Sequence, residues 1–299
     1  MEARGVKYKH AVVVGTIRDG SANVVSDLLR ILSAIESIVP ASAFVVESDS
    51  SDDTVQIIKN LSEKDMRIRF KSLGNIANDI PDRIARLRYC RNVYVNEIRQ
   101  HPSYQDCDLV IVADLDGINT VIDVKGFEIA LNSEVEWDAL AANQNARYYD
   151  IAALRHPLWS PNNFFEQAQW MAPYLGEKAA WRNSISDRMI HIPMHSPPIL
   201  VESAFGGLCI YRRWVFEKCD YSEDDSQHHG EIDHVTINRK MRSFGGKIFI
   251  HPAFINANWT VHSLDGVPTI RFLKIVAHNT LLKFMLPWLR KLSLLMAKK

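Results

Sequence analysis

The sequence predicts an α/β protein built on a mostly parallel central sheet flanked by helices. Three observations carry that prediction. The first half alternates short β-branched apolar runs with longer segments whose apolar residues recur every three or four positions, the pattern of successive βαβ units. The apolar runs end in acidic or hydroxyl-bearing stretches, as expected where strands deliver their carboxyl ends to a ligand crevice. With 299 residues, 47% of them hydrophobic and 23% charged, the chain can build the core of one large domain or two modest ones.

In chain order, strands are expected at Ala11 to Val14, Ala43 to Glu47, Ile68 to Ser72 and Leu109 to Ala113. Helices are expected between them at Ala22 to Ile38, Asp53 to Leu61 and Asp82 to Arg99. After Asp116 the rhythm breaks. Trp137 to Ala142 reads as a further strand, while Arg147 to Met194, rich in Pro, Asn, Trp and His, reads as loop with short helices. Order returns with a strand at Gly206 to Tyr211, a helix from Asp233 to Arg242 stopped by Gly245 and Gly246, and a strand at Lys247 to His251 ended by Pro252.

Thirty-five Lys and Arg balance thirty-five Asp and Glu, so the whole-chain basic signature of a nucleic-acid binder is absent and no nucleic-acid partner is expected. The balance is uneven along the chain. Residues 266–299 hold seven Lys and Arg with no Asp or Glu, interleaved with Phe272, Ile275, Leu282, Phe284, Trp288 and Leu292. That pattern predicts a basic amphipathic helical tail, suited to an anionic membrane surface or to docking on the acidic body. Four scattered cysteines without a C-x-x-C pair suggest a reducing compartment, and no run approaches the roughly 20 apolar residues of a membrane span.

The strand ends hold the candidate chemistry. Neither G-x-G-x-x-G nor G-x-x-x-x-G-K-[ST] occurs, which removes support for dinucleotide and P-loop sites. Asp114 and Asp116 follow the run DLVIVA, so a buried strand would present both carboxylates on one face. Like charges so placed suit a divalent cation completed by substrate phosphates, although an Asp-x-Asp turn with one capping and one solvated carboxylate fits the same spacing. His228 to Gly230 lacks the spacing of a helical zinc pair.

FVVESDSSDDT and VIVADLDG resemble the second strand and the metal-binding Asp-x-Asp strand of nucleotide-sugar-dependent glycosyltransferases with the GT-A fold. RLRYCRNVYV resembles the helix that precedes that strand. ESAFGGLCIYRR and HGEIDHVTINRKMRSFGGKIFIHP are similar to a capsule and cell-surface glycan subgroup with a Gly-Gly strand and a Cys-Glu-His-Val helix start, with Asp233 where that subgroup has Glu.

The resemblance implies a GT-A-like domain over residues 1–265, with a nucleotide-binding half at 1–120 and an acceptor half at 121–265, followed by the tail. It implies a donor site of Thr16, Arg18, Glu47, Asp49, Arg88, Arg91, Asp114, Leu115 and Asp116, with Glu47 the first choice for base and ribose. Mn²⁺ or Mg²⁺ would be held by Asp114, Asp116 and His262. Gly206, Gly207, Tyr149 and Asp150 would meet the sugars, and Asp233, or Glu231 in its place, would be the base of an inverting displacement. The implied partners are a UDP- or GDP-linked sugar and a glycan or lipid-linked acceptor, handled at the cytoplasmic face of a membrane. A sugar-phosphate nucleotidyltransferase and a non-catalytic carbohydrate- or membrane-binding scaffold are the alternatives. The first expects a Gly-rich basic loop after the first strand, where GTIRDG supplies only Arg18.

Overall fold

The computed structural model describes residues 8–223 and 231–264. The expected tail and the His228 to Gly230 stretch lie outside them. The chain forms one eight-stranded sheet: β1 (Ala11–Ile17), β2 (Ala41–Glu47), β3 (Ile68–Ser72), β4 (Leu109–Ala113), β5 (Ala139–Gln144), β6 (Ile199–Val201), β7 (Leu208–Arg212) and β8 (Ile248–Ala257). The order is β3-β2-β1-β4-β7-β5-β8-β6, so elements before and after residue 120 share a single sheet. Strands β1 to β4 are mutually parallel, β7 lies antiparallel between β4 and β5, β8 is parallel to β5, and β6 closes the edge antiparallel. The expected mostly parallel α/β architecture is therefore what the chain adopts.

Continuous apolar strands follow from burial on both faces. Val12, Val14, Val110 and Val112 pack with Tyr94, Tyr104 and Phe216, whereas Val13, Val45, Leu109 and Ile111 pack with Leu28, Ile31, Ile35 and Phe127. The helices doing the covering are α1 (Val24–Glu36), α2 (Thr54–Lys64), α3 (Arg83–Gln100) and α4 (Val124–Leu131), with α7 (Arg213–Lys218) and α8 (Asp233–Ser243), while α5 (Phe164–Leu175) and α6 (Glu177–Ser184) pack on each other as a hairpin. Asp82 caps α3 by accepting from the Ala85 amide, which fixes where that helix starts. The four cysteines are buried and free.

Strand β8 does not stop at Pro252 but continues to Ala257. The register slips there, from Ala141 opposite Ile250 to Asn143 opposite Ile255, so the proline sits in a bulge where its missing N–H costs no ladder bond. The Asn143 amide donates to the freed Pro252 carbonyl at 3.0 Å. Strand β6 and helices α4 and α7 were not foreseen, being three, eight and six residues long. Segments that short carry too little periodicity to read.

Candidate functional site

From β1 the chain winds outward to β2 and β3, then returns to β4 on the other side of β1, which makes the β1/β4 boundary a topological switch point. A cleft of about 850 Å³ opens at the carboxyl ends of these strands. Thr16, Arg18, Asp49, Asp114, Leu115 and Asp116 line it from the strand ends. Tyr149, Asp150 and His262 line it from the opposite side, and Phe164, Trp181, Ile185 and Met189 form an apolar wall.

The loops after β1 and β2 are laced together. Asp19 accepts from the Ser51 amide at 2.7 Å, the Gly20 amide donates to Thr54 Oγ1 at 2.8 Å, and the Ser21 amide donates to Asp52 at 3.1 Å. Asp19 and Asp49 both hold positive φ, 48° and 60°, a conformation that non-glycine residues keep only where surrounding bonds enforce it. For Asp49 those bonds come from the Ile76 and Ala77 amides, at 2.8 and 2.7 Å.

Asp114 and Asp116 stand together at the end of β4. Burial, and then the neighbouring Asp116 charge, push the Asp114 carboxyl up to about 8. Such a carboxylate favours a partner cation. Among the described residues no three His, Cys, Asp or Glu side chains converge as a metal cluster, so His262 shares the cleft without joining the aspartates. Its ring stacks instead on Tyr149, with centroids 5.6 Å apart. Two carboxylates without a third protein ligand suit Mg²⁺ or Mn²⁺ that retains open positions for phosphate and water.

Facing the aspartates, α3 turns Arg83, Arg86, Leu87, Cys90 and Arg91 into the cleft. Their i, i+3, i+4, i+7, i+8 spacing is one helical face. Sequence reasoning named Arg91 but missed Arg83 and Arg86, which that spacing would have found. It named Arg88 instead, which points away: its guanidinium pairs with Glu223 and donates to the Glu231 carbonyl.

Several other expected site residues are committed elsewhere. Glu47 is 1% exposed and absent from the lining, its carboxylate bonded to the Ser72 hydroxyl and the Ser50 amide. Asp49 supplies the carboxylate in the cleft there. Glu231 pairs with Arg155 and lines a separate cavity of about 370 Å³. Asp233 is 3% exposed, pairs with buried Arg91, and accepts from the His234 amide at 3.0 Å. Burial pushes its carboxyl up, yet Arg91 and the adjoining donors hold it below the usual carboxylate range.

Gly206 and Gly207 do not line the cleft. Both have positive φ, and a Cβ on Gly207 would come within 2.7 Å of the Tyr149 hydroxyl. They admit Tyr149 and Asp150 rather than a sugar: the Gly206 amide donates to Asp150 at 2.9 Å. Asp150 faces the cleft with its carboxyl raised by burial, only partly offset by the Gly206 and Ala153 amides.

A buried amide network, also missed, supports both sides of the site. Asn256 donates to Asn119 and to the Gly206 carbonyl, each at 2.8 Å, and accepts from Gln144 at 2.9 Å. Asn119 in turn donates to the Asp114 carbonyl at 2.7 Å, and Gln144 accepts from the Tyr149 amide at 3.3 Å. Buried Asp27 accepts from the Gly117 amide at 2.7 Å, fixing the turn after Asp116.

No family model matches the sequence, and no curated protein matches it. Solved structures do resemble the fold. Mannosyltransferase PcManGT from Pyrobaculum calidifontis, in complex with GDP-Man and Mn²⁺, is 13% identical with a TM-score of 0.48, over 84% of this chain and 57% of that one. S. aureus TarS 1-349 in complex with UDP is 15% identical with a TM-score of 0.45, over 85% and 60%. Glucosyl-3-phosphoglycerate synthase from Mycobacterium tuberculosis in complex with UDP is 14% identical with a TM-score of 0.40, over 91% and 77%. The chain thus spans little more than half the length of the first two.

Proposed function

We propose that the chain is a divalent-metal-dependent glycosyltransferase that moves a sugar from a UDP- or GDP-linked donor to a hydroxyl of a glycan or lipid-linked acceptor at the cytoplasmic face of a membrane. One observation carries this reading: an aspartate pair that favours a cation faces a row of arginines that favours phosphate, across a cleft at the sheet's switch point. Asp114 and Asp116 would hold Mn²⁺ or Mg²⁺, whose charge would neutralise the diphosphate as it departs.

The chain's own residues account for the rest. Arg83 and Arg86 are placed to donate to the diphosphate oxygens, Arg86 lying 3.9 Å from Asp49, while Arg91 is already paired with Asp233 behind them. Asp49 and Thr16, at the ends of β2 and β1, are placed for the nucleoside. Asp150 is assigned as the base in place of Asp233, because its carboxyl, raised by burial, opens on the cleft whereas that of Asp233 is taken up by Arg91. Asp150 takes the acceptor hydroxyl's proton as that oxygen bonds to the anomeric carbon. The bond from this carbon to the β-phosphate oxygen breaks, and the nucleoside diphosphate leaves with the electron pair. Displacement on the face opposite the leaving group inverts the anomeric centre. Asp233 holds Arg91 in place.

Thermal unfolding with UDP, GDP, CMP and ADP, each with and without Mn²⁺, tests the donor site. A diphosphate at about 100 times its dissociation constant adds roughly 2.7 kcal/mol. The expected result is a Mn²⁺-dependent rise for one diphosphate that Asp116→Asn abolishes. No rise with any of the four overturns the reading.

A further inference from the structure

The hairpin of α5 and α6 leaves large apolar side chains in solvent: Trp170 is 69% exposed and Tyr174 75%, with Phe165, Leu175 and Trp181 also exposed. Trp170 and Tyr174 are ring neighbours at 5.7 Å, and Phe164, Phe165 and Trp181 form an edge-to-face cluster at 5.4 to 6.1 Å. Phe164 and Trp181 are also part of the cleft's apolar wall, so one of these two aromatic groups adjoins the cleft. Isolated exposed apolar residues are ordinary, but several large apolar side chains exposed together on one helical hairpin mark an interaction surface.

We infer that this hairpin seats on a lipid surface and feeds the apolar portion of a lipid-anchored acceptor into the cleft past Phe164 and Trp181. The inference deepens the glycosyltransferase reading and rests on it for the word acceptor.

Three features favour lipid as the occupant. Trp and Tyr pair an apolar ring with a polar tip, the combination enriched at the headgroup level of bilayers. The hairpin's charges, Glu166, Glu177, Lys178 and Arg182, cancel, so it carries no net charge against an anionic surface. The described chain ends at the same mouth, where Val261 and His262 line the cleft, and the sequence that follows carries seven cations and no Asp or Glu over residues 266–299. Anionic headgroups complement that sequence.

Co-sedimentation of the full chain with vesicles of phosphatidylcholine and phosphatidylglycerol tests the inference, comparing wild type with the double variant Trp170→Ser, Tyr174→Ser. The expected result is that wild type partitions onto the vesicles and the variant does so roughly tenfold less, with its melting temperature unchanged. Equal partitioning overturns the inference. So does a variant with a lowered melting temperature or an altered oligomeric state in the absence of lipid, because either result means that protein covers the hairpin. The diphosphate-dependent thermal shift is read on the same samples. Its absence in wild type, alongside intact hairpin-dependent vesicle binding, removes the glycosyltransferase reading and leaves the lipid surface standing.

Discussion

Asp233→Asn separates two roles for the carboxylate at the start of α8. Asp233 and Arg91 are 3% and 5% exposed, and the guanidinium lies 5.7 and 5.5 Å from the ring centroids of Phe205 and Tyr221. Removing one member of a buried pair typically costs 3–5 kcal/mol, because the other charge stays buried without compensation. Asparagine keeps an oxygen to accept from Arg91 Nε, which places the expected cost near the lower end, at about 3 kcal/mol. For a chain of this size, with an unfolding entropy of about 0.6 kcal/mol/K, that lowers the melting temperature by about 5 °C. Asp150→Asn should behave in the opposite way. Its oxygen accepts one of the two backbone amides now bound at 2.9 and 3.2 Å, so stability falls by about 1 kcal/mol while turnover falls by about 10²–10⁴-fold. Scanning calorimetry and donor-sugar turnover on both variants check this. An Asp233→Asn protein that melts within about 2 °C of wild type yet has lost turnover would refute the reasoning, since the carboxylate would then act on substrate rather than on Arg91.

Two further outcomes are expected. Asp114 has its folded-state value raised to about 8, so the folded protein keeps a proton that the unfolded chain releases; its contribution is full below about pH 4 and is lost as pH rises towards 8. Urea unfolding in EDTA should therefore show wild type losing stability relative to Asp114→Asn across that window, and a pH-independent difference between the two would contradict it. Asn256→Leu removes the donor to Asn119 Oδ1 and one bond each from Gln144 and the Gly206 carbonyl, which still bond each other at 3.1 Å; it should cost about 2 kcal/mol in thermal unfolding and weaken Mn²⁺-dependent diphosphate binding, and unchanged values for both would show the network to be dispensable.

What the sequence made legible follows the physics of each element. Strands β1, β2 and β4 announce themselves because both faces are buried and the apolar run is unbroken. Asp114 and Asp116 could be placed at the cleft because a strand end fixes position without any knowledge of packing. Glu47 was misplaced for a reason strand alternation contains: it shares a face with Ala43 and Val45, both in the core, and pairs in register with Ser72 of β3. The first cleft-facing carboxylate is therefore Asp49, two residues past the strand in a left-handed turn. The arginine row of α3 was equally available in principle, since its spacing is a helix face, but only once it is known which face looks at the strand ends.

The harder failures involve partners far apart in sequence. Arg91 and Asp233 are separated by 142 residues, and Asn256 and Asn119 by 137. No periodicity links such positions, because what joins them is the sheet order that sets α8 beside α3 and β8 behind the β4 turn. A carboxylate at the N-terminus of α8 looks the same in sequence whether it faces substrate or a buried guanidinium. The tertiary arrangement decides, and here it gives Asp233 to Arg91 while the Gly206–Gly207 turn leaves room for Asp150 to face the cleft. The position of a carboxylate in a motif therefore fixes its neighbourhood, while its chemistry is set by whichever charge the fold brings against it.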